Sequence, residues 1–110
     1  MGAVKLSQGK CKPCEGGVEP LDPAGARGLL SQLPEWQLEA NKILVRVFRF
    51  SDFRKAQSWL GRVADIAESE NHHPDIHWSY NRVTIELTTH SICGLSENDF
   101  ILAAKIDELG

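Results

Sequence analysis

Cysteine is scarce in this chain: three residues, an odd number that cannot pair completely within one molecule. That argues against a disulfide scaffold and suits a reducing compartment, so a cytoplasmic protein is expected. Basic excess is missing too. Twelve Lys and Arg against fifteen Asp and Glu leave a formal charge of −3, the wrong sign for a protein built mainly to track phosphates, so no nucleic-acid partner is expected. No apolar run approaches the roughly 20 residues of a membrane span. The segment Met1-Gly-Ala-Val-Lys-Leu6 lacks the apolar stretch and cleavage site of a secretory signal, and none is expected. A Cys-x-x-Cys pair exists at Cys11 and Cys14, but no second pair completes a zinc ribbon, and Cys93 stands alone.

What remains is an ordinary globular composition, with 42% hydrophobic and 25% charged residues, which makes disorder an unsuitable default. A chain of 110 residues supports one core. Residues 1–20 carry glycines, prolines and lysines without apolar period and are expected to be a flexible N-terminal segment, with a single domain over 21–110. Asp22-Pro23 reads as an N-cap and first helical residue, opening a helix to about Leu33 that Pro34 ends. Trp36–Glu39 alternates, Ala40-Asn41 serves as a hairpin turn, and Lys42–Phe50 is strand-like with imperfect alternation, consistent with a bulge or with burial on both faces. Ser51-Asp52 starts the clearest helix, whose apolar stripe is Phe53, Ala56, Leu60, Val63, Ala64 and Ala67; Pro74 lies beyond its end. Ile76–Tyr80 and Arg82–Thr89 form a second hairpin around Asn81, with Val83, Ile85 and Leu87 on one face. Ser96-Glu-Asn-Asp99 resembles a capping box for a last helix to about Leu109. That helix is apolar nearly all round, so it should be buried on two sides, one of them a candidate subunit contact. Two hairpins need a shared core. The order α-β-β-α-β-β-α therefore predicts an α+β fold, a four-stranded antiparallel sheet with three helices on one face.

All four histidines lie between His72 and His90. Imidazole, with an unperturbed pKa of about 6.5, both gives and takes a proton near neutrality. His72 and His73 sit at the exit of the long helix, where Pro74 fixes the backbone. His90 ends the last strand, on the face opposite Val83, Ile85 and Leu87, and the second hairpin connects the two groups. A single histidine at a helix C-terminus often only complements the helix dipole; three at element ends that one fold can unite are a candidate acid–base site. A metal site from His72, His73 and His77 with Asp75 or Glu70 competes poorly, because Pro74 prevents the helical spacing that lets two histidines chelate. Cys93 reads as a small turn residue or, beside His90, as a thiol nucleophile. Trp36 is either core or the wall of a pocket for a flat ligand.

The run Glu68-x-x-x-His72-His73-Pro74, followed by Tyr80-Asn81-x-Val83, Thr89-His90, Gly94-Leu95-Ser96 and Asp99, resembles the pterin-4a-carbinolamine dehydratase family. The resemblance covers about residues 28–109, including Trp36 and Phe50-x-Asp52-Phe53. It implies elimination of water from a 4a-hydroxy-tetrahydropterin, without metal or other cofactor. His72 and His90 would be the acid–base pair, and His73, also within the catalytic set, would mainly bind and orient the pterin together with Pro74. Thr89, Ser91 and Ile92 would touch substrate through backbone groups, and Glu68, Trp36 and Asp99 would line the pocket. Asn71 replaces an aspartate of some members and Asn98 a basic residue. The resemblance also implies a homodimer or homotetramer. As an alternative it implies a non-catalytic binding module, since some animal relatives stabilise dimers of a transcription factor; a third option is a role near molybdopterin metabolism.

Overall fold

Helix α1 spans Pro23–Leu30. The side chain of Asp22 accepts the Gly25 N–H at 2.7 Å, and Pro23 occupies the first turn, where a missing N–H costs nothing. The helix was expected to reach Leu33. Instead Gln32 and Leu33 donate to Leu29 and Leu30, a tighter 3-10 exit that follows from Pro34 disfavouring the α conformation of the residue before it. Leu33 is still buried. The structure is a computed structural model and describes residues 6–9 and 20–109.

Strands β1 (Gln37–Glu39) and β2 (Ile43–Arg49) are joined through Ala40 and Asn41, both left-handed at φ 51° and 55°, with Lys42 N–H on Glu39 O at 2.9 Å. Positive φ at both central residues matches the twist of a tight hairpin. β2 has no bulge: its register with β4 runs unbroken from Leu44↔Leu87 to Arg49↔Arg82. Nor is it buried on both faces, since Val47 is exposed. The alternation looked imperfect because Arg46 occupies the row shared by Leu44 and Phe48. Its guanidinium pairs with Asp107 at 2.7 Å and lies over the Phe48 ring, so a charge sits on the helix-facing side.

Helix α2 spans Phe53–Glu70, capped by the Asp52 side chain on Lys55 N–H. Its buried residues are Ala56, Trp59, Val63 and Ala67. The expected stripe is thus rotated: Phe53 and Ala64 face solvent, and Trp59 packs against Phe48 and Phe50 with ring centroids 4.4 and 5.1 Å apart. β3 (Asp75–Ser79) and β4 (Arg82–Leu87) complete an antiparallel sheet of order β1-β2-β4-β3. Val83, Ile85 and Leu87 are fully buried, while every residue of β3 is exposed at the sheet edge. With α3 (Glu97–Asp107), the element order is the expected α-β-β-α-β-β-α.

Both expected sides of α3 are covered from within the chain. A 3-10 turn, Leu6–Gln8, packs on it, with Leu6 in the main core cluster. A Cβ on Gly9 would come within 3.1 Å of Ile101 Cδ1. Part of the segment expected to be flexible therefore packs, because the outer face of α3 offers Leu6 apolar surface to bury against. Cys11 and Cys14 lie outside the described residues. Among the described residues no helix is long and apolar enough to cross a membrane.

Candidate active site

The end of α2 aims the first two histidines. Asn71 is left-handed (φ 52°), its N–H bonds to Glu68 O, and His72 N–H reaches back to Ala67 O. This is a Schellman termination, which asparagine tolerates better than most residues. The chain then enters β3 at Asp75, paired with Glu86. Extending that antiparallel register by three residues carries His72–Pro74 alongside Leu87–Thr89, with His72 opposite Thr89, the residue before His90. A three-residue reach across one hairpin is thus what brings helix exit and strand end together.

A reverse turn presents His90. Thr89 and Gly94 bridge as an isolated pair, and His90–Ile92 form a 3-10 turn between them. Gly94 is required by close approach: an added Cβ would lie 2.7 Å from Pro20 Cβ, where Leu21 N–H bonds Leu95 O. Cys93, left-handed at φ 55°, is a free exposed thiol.

Every histidine turns Nε2 to a carboxylate, with very different grip. His72 meets Asp99 Oδ1 at 2.6 Å, the histidine side chain 13% and the aspartate 0% exposed. His73 meets Glu68 Oε1 at 2.7 Å in an exposed pair. His90 is 3.9 Å from Asp75 Oδ2 and largely in solvent, beyond hydrogen-bond range. His77, on β3, is 3.8 Å from Glu86 of the neighbouring β4. Strand parity puts Asp75 and His77 on the open face of the sheet, while His72 approaches Asp99 from the helical layer. The candidate site straddles the end of the sheet, with one histidine reaching it from each side.

Asp99 is the buried centre. It is the third residue of α3 and forms a capping box with Ser96. Its Oδ2 accepts the Thr89 hydroxyl at 2.8 Å and the Ser96 N–H at 3.0 Å, so this buried charge is hydrogen-bonded at both oxygens. Backbone groups of the turn are partly committed: Thr89 N–H donates to Gly94 O, and Ile92 N–H to Thr89 O. Both N–H groups are spent within the turn, and the Thr89 hydroxyl reaches Asp99. Ser91 is exposed and Ile92 buried. Pro74 is half-buried and Glu68 exposed.

Trp36 is not brought to the histidines. It is 3% exposed, its indole N–H is shared between both oxygens of Asp107 at 2.9 and 3.0 Å, and its ring meets Phe48 edge-on. Asp107 lies eight residues beyond Asp99 on α3, about 12 Å along the axis at 1.5 Å per residue. A groove lined by Leu30, Pro34 and Trp36 opens beside α1, away from the histidines. Among the described residues no group of three or more His, Cys, Asp or Glu is placed to hold a metal ion. Two residues have contacts at the candidate site that their sequence context does not announce: Asp75, which faces His90, and Ser96, which bonds Thr89 and Asp99 besides capping α3. The position of Asp75 directly after Pro74 was the available signal.

The sequence model of the family described as pterin 4 alpha carbinolamine dehydratase matches residues 19–109. A protein of Halorhodospira halophila is 46% identical over 108 residues, covering 97% of this chain and 99% of that one. One from Nitrosomonas eutropha is 50% identical over 105 residues, covering 94% and 92%. Both carry the name "Putative pterin-4-alpha-carbinolamine dehydratase". Among solved structures, a transcriptional coactivator/pterin dehydratase from Brucella melitensis superposes with a TM-score of 0.78 at 33% identity, over 83% of this chain and 98% of that one. A pterin dehydratase-like RuBisCO assembly factor of the alpha-carboxysome shares the fold at a TM-score of 0.60 and 23% identity, over 68% of this chain and 88% of that one.

Proposed function

The chain belongs to the pterin 4 alpha carbinolamine dehydratase family, and on that premise we propose that it is a hydro-lyase that removes water from a 4a-hydroxy-tetrahydropterin. The observation that carries the reading is the buried Asp99 holding His72 at 2.6 Å at the sheet end where His90 also emerges. The substrate bears a tertiary hydroxyl at C4a beside the N5–H. Hydroxide leaves poorly, so one imidazolium protonates the oxygen as the C–O bond breaks. The other imidazole, neutral, takes the N5 proton, and the N5 electron pair forms the new double bond. The products are a quinonoid dihydropterin and water; atoms, charge and oxidation state balance without a co-reactant. Each proton transfer is worth about 10²- to 10⁴-fold. His72 and His90 are the proton carriers, and His73, tied to Glu68 and followed by Pro74, binds and orients the flat ring.

The reading extends to recycling of tetrahydrobiopterin in the cytoplasm and to a homodimer or homotetramer. The apolar surface that supports self-association is the free edge of β3, where Ile76 and Trp78 are exposed and Phe53 stacks on Trp78 at 4.4 Å.

The test is loss of water from a synthetic 4a-hydroxy-tetrahydropterin, followed by absorbance. The protein should accelerate it, and a His72→Ala/His90→Ala variant should not. A wild-type protein without effect refutes the assignment. A stoichiometric protein partner captured by such an inactive protein would favour the non-catalytic binding module.

A further inference from the structure

The hydrogens around Asp99 can be placed one by one. A carboxylate oxygen only accepts, so the Thr89 hydroxyl donates to Oδ2 at 2.8 Å. That spends the one hydrogen Thr89 Oγ1 has. In the 2.8 Å contact between Thr89 Oγ1 and Ser96 Oγ, Ser96 is therefore the donor. Ser96 also gives its backbone N–H to Asp99 Oδ2 at 3.0 Å. The result is a closed cycle: Ser96 donates to Asp99 directly through nitrogen and indirectly through its hydroxyl and that of Thr89. All three residues are buried, at 5%, 9% and 0% exposed for Thr89, Ser96 and Asp99, so water does not compete for these bonds.

The cycle occupies Oδ2 twice and leaves Oδ1 facing His72. An imidazole nitrogen is intrinsically more basic than a carboxylate oxygen, so the hydrogen in the 2.6 Å contact resides on Nε2. Neutral His72 is then the Nε2–H tautomer, with its lone pair on Nδ1. His90 likewise turns Nε2 toward Asp75.

We propose that Thr89 is a positioning residue for His72, acting through Asp99, and that Nδ1 of His72 is the nitrogen that exchanges a proton with the substrate. The second half rests on the dehydratase reading; the oriented hydroxyl cycle does not. Two measurements separate them. Long-range ¹H–¹⁵N spectra of the full chain, recorded at alkaline pH, report the tautomer without substrate. The wild type should show His72 protonated on Nε2, and Thr89→Val, which keeps shape but removes the donor, should move it toward a mixture. Under turnover, Thr89→Val should lose about tenfold in kcat with KM within a factor of two, and Thr89→Ser should restore both kcat and the wild-type spectrum. A wild-type His72 protonated on Nδ1 overturns the nitrogen assignment and needs no variant. A folded Thr89→Val with unchanged spectrum and kcat overturns the positioning role. An inactive wild type with the expected spectrum removes the dehydratase reading, and with it the substrate role of Nδ1, and leaves the cycle.

Discussion

Replacing Asp99 by asparagine isolates orientation from packing. Asp99 accepts three hydrogen bonds: His72 on Oδ1, and Thr89 and Ser96 N–H on Oδ2. An asparagine carbonyl can still accept the last two, so the α3 cap survives. The amide NH₂ must then face His72, where a carboxylate oxygen had been. Two donors cannot share that contact, so His72 has to accept through Nε2 and carry its hydrogen on Nδ1. The tautomer is inverted while the side chains stay in place. The same exchange in Ser-His-Asp triads lowers kcat about 10⁴-fold; here the expected loss is on the order of 10²- to 10⁴-fold, close to that of removing one acid–base residue altogether. Stability should fall far less. Two bonds persist but lose charge assistance, and the third is rebuilt in reverse, a cost of about 1–2 kcal/mol. Asp99→Ala leaves three partners unsatisfied and should cost about 3–5 kcal/mol. Urea unfolding and steady-state dehydration read both quantities on the same samples. An Asp99→Asn protein with kcat within threefold of wild type would refute the reasoning, because the carboxylate would then have no orienting role.

Two further perturbations test the surroundings. At Asn71, whose φ of 52° ends α2 one residue before His72, Asn71→Gly should keep stability within about 0.5 kcal/mol, whereas the β-branched Asn71→Val should lose about 1–2 kcal/mol; chemical denaturation measures both, and an undisturbed valine variant would contradict the capping argument. Along the β3 edge, Trp78→Arg should convert the oligomer to a smaller species in sedimentation velocity, and a wild-type monomer would remove the edge as a self-association surface.

How far the sequence could be read depended on whether a residue's role is local. Asp22, Asp52 and Ser96 cap their helices within three residues, and all three caps were legible. So was the hairpin turn at Ala40-Asn41, because a two-residue connection between alternating runs is itself local information. Trp59 lies off the expected stripe of α2 yet is core; Leu60 and Ala64 fit an ideal period equally well, and only the aromatic surface of Phe48 and Phe50 on the sheet decides the rotation. Arg46 hid the phase of β2 because its partner, Asp107, is 61 positions away. Leu6 was passed over for a related reason, its partner being the far side of α3. At the candidate site, the histidines stand out by type and spacing. The carboxylates behind them do not all do so: Asp99 enters by family resemblance, and Asp75 only as a candidate metal ligand. A second-layer role leaves no spacing signature unless the fold that creates the contact is known.

The two proposed proton carriers differ in what holds them, and this has a mechanistic consequence. The His72–Asp99 contact is short and buried, so it is little screened and fixes the imidazole before substrate arrives. The His90–Asp75 contact, at 3.9 Å with side chains 81% and 58% exposed, is worth no more than about 1 kcal/mol and leaves the ring free to turn. Binding a flat ring between them would therefore immobilise His90 but not His72. Only one of the two groups then loses orientational freedom on the way to the transition state, and contacts of this kind commonly tighten when substrate excludes water. Pre-organisation thus resides on the helix side of the sheet, in the Ser96–Thr89–Asp99 cycle, and adaptability on the open side, in the turn that Gly94 closes.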